Sequence, residues 1–298
     1  MLREAINNFI IEGILAENNL EYGSYMKDGK EHKCIKGTVV VKTKEKIGDK
    51  FIDCMVPVQY FANEYKKDGG TNGIYAALET SMKELVSIAA ADEASADRVR
   101  ITGAQLEMNE YYPEPERLIS TPRIKGTFIN RITQDVLDRD GYKAQGSIEF
   151  CIAEKTEEVV NDEPTGRILL KGIVPGYGGR VSVVPLVVET PAAIDFVSSN
   201  WNEGDTVPAT ISLNFSVEAQ ETVEEQGFGD PVVRVRTKRL HELSVTKGNY
   251  AYTDDKAFEM DEIQNGLAQR KAWLEVQKSK SGAKKASAPK AKSFDLGF

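Results

Sequence analysis

Along most of the chain, apolar and polar positions alternate, and the pattern turns helical in only a few places. Residues 8–16 are apolar and strand-like, 34–43 (CIKGTVVVKT) alternate and are rich in valine, and 51–62 (FIDCMVPVQYFA) form a third run. Period-two patterns of this kind predict half-buried strands. Thr71-Asn72-Gly73 then offers capping chemistry for a helix over 74–90, whose residues Ile74, Ala77, Leu78, Met82, Leu85, Ile88 and Ala89 share one face. Residues 98–109 (RVRITGAQLEMN) return to strand, and 117–132 predict one long strand running into the second half.

The second half predicts the same succession. Residues 143–153, 167–174 and 180–189 read as strands, the last two joined by a tight turn at Gly176-Tyr177-Gly178-Gly179. Thr190-Pro191 opens a short helix over 192–200, with Thr as N-cap and Pro in the first turn. Residues 205–218 and 232–246 complete the set. Two phrases match between the halves. Ile35-Lys36-Gly37-Thr38-Val39 corresponds to Ala144-Gln145-Gly146-Ser147-Ile148, and Asp97-Arg98-Val99-Arg100-Ile101-Thr102 to Asp205-Thr206-Val207-Pro208-Ala209-Thr210. Three strands, a helix and two strands, occurring twice, predict an internal duplication. That order suits the oligonucleotide-binding (OB) fold, a five-stranded, partly open Greek-key barrel. The expected fold class is therefore mainly β with short helices: OB-fold-like barrels at 1–125 and 126–252, a helix at 253–280 and a flexible tail at 281–298. Another pair of small α+β domains is the alternative.

Composition changes the picture at the C-terminal end. Residues 254–280 predict a solvent-exposed helix carrying Phe258, Ile263, Leu267, Trp273, Leu274 and Val276. From Ser281 the chain is small, basic and proline-containing, a composition that buries no core and predicts disorder. It ends in Phe294-Asp295-Leu296-Gly297-Phe298, apolar enough to predict a linear docking peptide. Charge is uneven too. Lys and Arg total 38 and Asp and Glu 46, for a formal charge of −8. Six lysines fall within 278–292, so residues 1–277 hold 32 basic and 45 acidic side chains, a balance of −13. A body of that sign attracts nucleic acid only through a local basic groove.

Other chemistry is sparse. Cys34, Cys54 and Cys151 are far apart, lack metal-ligand spacing and read as buried free thiols. His32 and His241 are too few for a histidine metal site, so no metal or cofactor is expected. Phosphate-loop, nucleophile-elbow, His-Glu-x-x-His and Cys-x-x-Cys signatures are missing, which disfavours an enzyme. The acids Glu157, Glu158, Asp162, Glu163, Glu221, Glu224 and Glu225 read as surface loops. No run of 18 or more apolar residues is found, and Met1-Leu2-Arg3-Glu4-Ala5 does not begin a secretory signal. A cytoplasmic location without membrane contact is expected.

The duplicated pattern, the phrase Gly172-Ile173-Val174-Pro175-Gly176-Tyr177-Gly178-Gly179 and the terminal Asp295-Leu296-Gly297-Phe298 resemble phage-encoded single-stranded DNA-binding proteins of Gram-positive hosts. The resemblance covers nearly the whole chain. It implies non-catalytic binding and protection of single-stranded DNA in replication or recombination, with self-association on DNA as a further contact. It also implies a tail whose Phe294, Asp295, Leu296 and Phe298 recruit replication or recombination proteins. Such tails usually carry several acids, whereas this one follows lysines. A phage structural or assembly protein using barrels for protein contacts is the alternative.

Barrels of this class bind a strand across strands two and three and the adjoining loops, with rings on bases and cations on phosphates. Lys36 and Lys42 share a strand face. Of Tyr60 and Phe61, alternation exposes one, expected to be Tyr60. Arg123 and Lys125 share a face of the linking strand, with Phe128 and Arg131 further along. In the second half the candidates are Tyr177 and Arg180 at the glycine turn, and Arg234, Arg236 and Lys238 as an alternating basic stripe. Trp201 is expected to plug a core.

Overall fold

The computed structural model describes residues 2–47, 50–224 and 232–286. The chain opens with β1 (Asn7–Lys27), β2 (Lys30–Ile47) and β3 (Lys50–Asn63), followed by α1 (Gly73–Glu84), β4 (Arg98–Glu114), β5 (Arg117–Lys125), β6 (Phe128–Ile132) and α2 (Gln134–Asp140). It continues with β7 (Lys143–Val160), β8 (Glu163–Pro175), β9 (Val181–Val188), α3 (Pro191–Asn200), β10 (Thr206–Asn214), β11 (Val217–Glu224), β12 (Val232–Arg239), β13 (Glu242–Gly248) and α4 (Met260–Ala286).

The pairings form two closed barrels of one topology. In the first, the order β1-β2-β3-β5-β4 closes by a β1–β4 pairing; in the second, β7-β8-β9-β13-β10 closes by β10–β7. Each barrel has one parallel contact, between its third and fifth strands. In each, a helix (α1 or α3) joins strands three and four. These are tandem OB-fold barrels. The ribbon β11–β12 stands apart as a second sheet, inserted between strands four and five of barrel 2.

Alternation explains the walls. Phe9, Ile11, Ile35, Val39, Val41, Val56, Val58, Val99, Ile101 and Ile124 are fully buried in a core that continues into barrel 2 through Phe150, Leu186, Ile211 and Trp201. Each large side chain so buried contributes roughly 1.5–3 kcal/mol. Trp201 also donates its Nε1–H to the carbonyl of Asn249 at 2.8 Å, so its one polar atom is satisfied.

The barrels join strand to strand along β1 and β7. Asn7 faces Ile148, Phe9 faces Gly146 and Ile11 faces Ala144, a register that reads the same from either barrel. A local two-fold therefore runs through the Phe9–Gly146 pair. Any Cβ at Gly146 would enter the Phe9 ring, so only glycine lets the strands meet there. This symmetry reveals the true internal repeat. Ile11-Glu12-Gly13-Ile14-Leu15-Ala16-Glu17 superposes on Ile148-Glu149-Phe150-Cys151-Ile152-Ala153-Glu154, with four of seven residues identical and a bulge at the same place. Glu12 and Glu149 are both buried, held by Arg100 and Lys143 in one case and by Arg3 and Tyr252 in the other.

Several expectations need correction. The matched phrases 35–39 and 144–148 lie on different strands, β2 and β7, so they are not equivalent. The match of 97–102 with 205–210 does fall on the fourth strand of each barrel. The long strand 117–132 breaks at Gly126-Thr127 while β5 and β6 keep one register against β4. At that break the Tyr60 ring lies where a Cβ at Gly126 would go, so only glycine fits there. The first helix ends at Glu84, earlier than its apolar pattern predicts, and its cap is Asn72, whose side chain accepts from the Ile74 N–H at 3.1 Å. Thr190 is an N-cap without a side-chain bond. The helix expected in solvent begins at Met260 and buries Ile263 and Leu274 against the barrels. All three cysteines are free and buried, and burial pushes the Cys54 and Cys151 thiols up to about 11.

Candidate nucleic-acid interface

The hairpin β1–β2 runs well past the barrel 1 wall to a turn at Asp28-Gly29, and β3 lies beside it. Tyr25 and His32 are cross-strand partners, and their rings stack at 5.4 Å and 18°. Phe61 stands 6.1 Å from Tyr25, tilted by 44°. The Tyr25 hydroxyl donates to Asn63 Oδ1 at 3.0 Å, which fixes the central ring. Phe61 is 50% exposed. Three rings on adjacent strands thus form a platform on the outer face of strands one to three.

Lysines surround it. Lys36 is the register partner of Phe61 and lies 3.5 Å from Glu21, with both side chains more than half exposed. Such a pair is weak and exchanges readily for another anion. Lys27, Lys30 and Lys33 on the hairpin and Lys66 and Lys67 after β3 are exposed and make no ion pair among the described residues. Rings that stack beside exposed ammonium groups suit the two surfaces of a single nucleic-acid strand, its bases and its phosphates.

The expected exposure of Tyr60 is corrected. Its ring is 3% exposed, because β3 turns Val56, Val58, Tyr60 and Ala62 to the core and Phe61 outward. Burial drives its phenol pKa upward, and its hydroxyl has no protein partner. The sequence pattern alone singles out neither Tyr25 nor His32, yet the signal is present, since the spacings 21–25 and 32–36 keep the outward parity of a strand continued beyond residue 16. Lys33 has the parity of the buried Ile35.

The other expected residues are spread over both barrels. Lys42 is roughly 20 Å along β2 from Lys36, at six residues' rise. It is clamped between Glu93 at 2.9 Å and Asp53 at 3.0 Å, which raise its pKa. Arg123 and Lys125 reach Glu107 at 2.9 and 3.6 Å, and Arg131 reaches Asp97 at 2.6 Å. Arg123 and Lys125 lie on β5, with Lys125 in register with Gln59 of β3, two residues from Phe61, while Arg131 and the exposed Phe128 lie on β6. Tyr177, 86% exposed, and Arg180 stand at the β8–β9 turn of barrel 2. Arg234, Arg236 and Lys238 occupy alternate positions of β12, in register with Thr222, Gln220 and Glu218. Phe294, Asp295, Leu296 and Phe298 lie outside the described residues.

Comparison with known proteins adds the following. No curated protein matches the sequence. Among solved structures, a deletion variant of the single-stranded DNA binding protein from Thermus aquaticus matches with a TM-score of 0.48 and 10% identity, over 84% of this chain and 97% of that one. A replication protein A heterotrimer bound to ssDNA matches with a TM-score of 0.24 and 11% identity, over 79% of this chain and 49% of that one, about half its length. A family model, YorF, matches residues 5–280, so the chain belongs to the YorF family.

Proposed function

We propose that this protein binds single-stranded DNA without acting on it chemically, holding the strand across the outer face of β1–β3. The observation that carries this reading is the Tyr25–His32–Phe61 platform, with Lys36 beside it and further exposed lysines nearby that make no ion pair among the described residues, on an acidic body. Each stacked base is worth roughly 1–3 kcal/mol and any base will serve. Local lysines let a net-negative molecule retain a polyanion at short range while its overall field repels distant ones. A coating protein for replication or recombination, in a phage context and in the cytoplasm, fits such sequence-tolerant binding. The terminal Phe294-Asp295-Leu296-Gly297-Phe298 would recruit partner proteins in that setting.

The test is fluorescence anisotropy with labelled oligo-dT at low and moderate salt. Binding should weaken steeply as salt rises, through counterion release, and should quench tyrosine emission. A chain that ignores oligo-dT at low salt but assembles into a defined oligomer would sink this reading in favour of an assembly role.

A further inference from the structure

Resting on that reading, we infer that His32 is a proton-gated phosphate contact, so that the platform holds a strand more tightly as pH falls. Three observations carry this. His32 stacks its ring on Tyr25 at 5.4 Å, which fixes the plane of the imidazole. Its ring nitrogens make no hydrogen bond among the described residues. The side chain is only partly buried, so the ring edge keeps access to solvent. A histidine held by its face, with both nitrogens free, offers one N–H to an oxyanion. Once protonated it offers a second N–H and a positive charge. Phenylalanine at this position would give the stack without the donors.

The charges that face His32 set the sign of the effect. On the hairpin, the pair Lys27–Lys30 shares its face on the side of the tip, and Cys34 and Lys36 follow on the other side. Glu21 shares that face too, but it is engaged with Lys36 at 3.5 Å. From β3 come Phe61 and Asn63, which carry no charge, and the loop after it adds Tyr65, Lys66 and Lys67. The remaining acids nearby point elsewhere. Glu31 partners Met26 and so has the opposite parity, and Asp28 lies in the tip turn beyond Lys27 and Lys30. Glu64 acts on the Tyr75 phenol of α1, and Asp68 accepts from the Gly70 N–H within its own loop. Among the described residues, then, no carboxylate bonds to the imidazole. A strand lying on the platform brings phosphates to its edge, and these favour the charged form. Binding therefore takes up a proton, and affinity declines as pH rises through the histidine range.

The effect has one histidine source on this face. The chain holds two histidines, and the other, His241, stacks on Phe215 at the foot of the β11–β12 ribbon.

Two measurements on the intact chain test this. The first is a salt series of titrations with oligo-dT, whose bases do not titrate between about pH 5.5 and 8, at both ends of that range. For the parent, the log–log salt slope should be steeper by about 0.7 at the acid end, the mark of one further phosphate contact. At about 0.1 M salt that corresponds to roughly fivefold tighter binding. His32→Phe keeps a stacking ring and should give the shallow slope at both pH values. His32→Arg carries a permanent charge and should give the steep slope at both. The second measurement is calorimetry of the parent in two buffers of different ionisation enthalpy near neutral pH. It should show proton uptake on binding, and His32→Phe should abolish that uptake. A parent slope indifferent to pH, a response that survives in His32→Phe, or binding without proton uptake would overturn the inference and leave the single-strand-binding reading standing. No binding at either pH would remove both.

Discussion

Phe61 and Tyr60 are neighbours with opposite assignments, and they make the residue scale testable. Replacing Phe61 by Ala removes one stacking ring, so affinity for oligo-dT should fall by about 1–3 kcal/mol, roughly 5- to 150-fold, with an unchanged melting temperature. Equal affinity in an anisotropy titration would remove Phe61 from the interface. Tyr60 should respond the other way. Its hydroxyl is buried without a protein partner, so Tyr60→Phe should leave stability unchanged or higher and leave DNA binding alone. Tyr60→Ala opens a core cavity under Gly126 and should cost about 3–5 kcal/mol in denaturant unfolding.

At the scale of elements, the first and last segments are tied down by one carboxylate. Glu149 accepts from Arg3 at 2.7 Å, from the Ile6 N–H at 3.0 Å and from the Tyr252 hydroxyl at 2.9 Å. Burial works to raise its pKa, but these bonds outweigh it and hold the carboxyl below its ordinary value of 4.5. A depressed folded-state value means the ionised latch stabilises the protein above the ordinary range. That contribution is lost as pH falls through the folded value. Glu149→Gln should therefore lower the melting temperature at neutral pH, and the gap to the parent should close in acid. A gap that persists unchanged at low pH would show that the latch is not electrostatic. The helix α4 has a different footing. Ile263 is fully buried on the barrel 2 wall, so Ile263→Ala should cost about 2–5 kcal/mol. The same change should raise the reactivity of Cys151 beneath it toward a thiol reagent, and unaltered labelling would show that α4 does not seal that face.

The whole molecule is a pseudo-dimer in one chain. Barrels meet through β1 and β7 about a local two-fold, then exchange arms. The β4–β5 hairpin of barrel 1 is gripped by α4, and the ribbon root of barrel 2 sits on β3. This arrangement orders the charges. Acids and bases that look independent along the chain are matched in space, as Lys42 with Glu93 and Arg131 with Asp97. Lys27, Lys30, Lys33, Lys66 and Lys67, which make no ion pair among the described residues, lie on or near the hairpin β1–β2, interspersed with Glu21, Asp28, Glu31 and Asp68.

Much of this was legible from residue order alone. Alternation is a local property of a strand with one buried face, so Val39, Val56 and Val58 mark the walls unaided. The same holds for the helices between strands three and four and for the buried Trp201. The parity of β3 was legible too, since Val56, Val58, Tyr60 and Ala62 share one side, and a strict count from the valines turns Phe61 outward. Tertiary structure alone decided the rest. Which cations stay free depends on acids brought from 34 or 51 residues away, and no local pattern encodes that distance. Which phrases are equivalent depends on strand position in a closed barrel, which phrase matching cannot see. Whether a face is open depends on a helix more than 80 residues further along the chain from the strand it covers. Local sequence sets which side of each strand is apolar, because that needs only neighbouring residues. Which stretch of a barrel wall is covered needs the whole chain folded, because burial is a contact between distant segments.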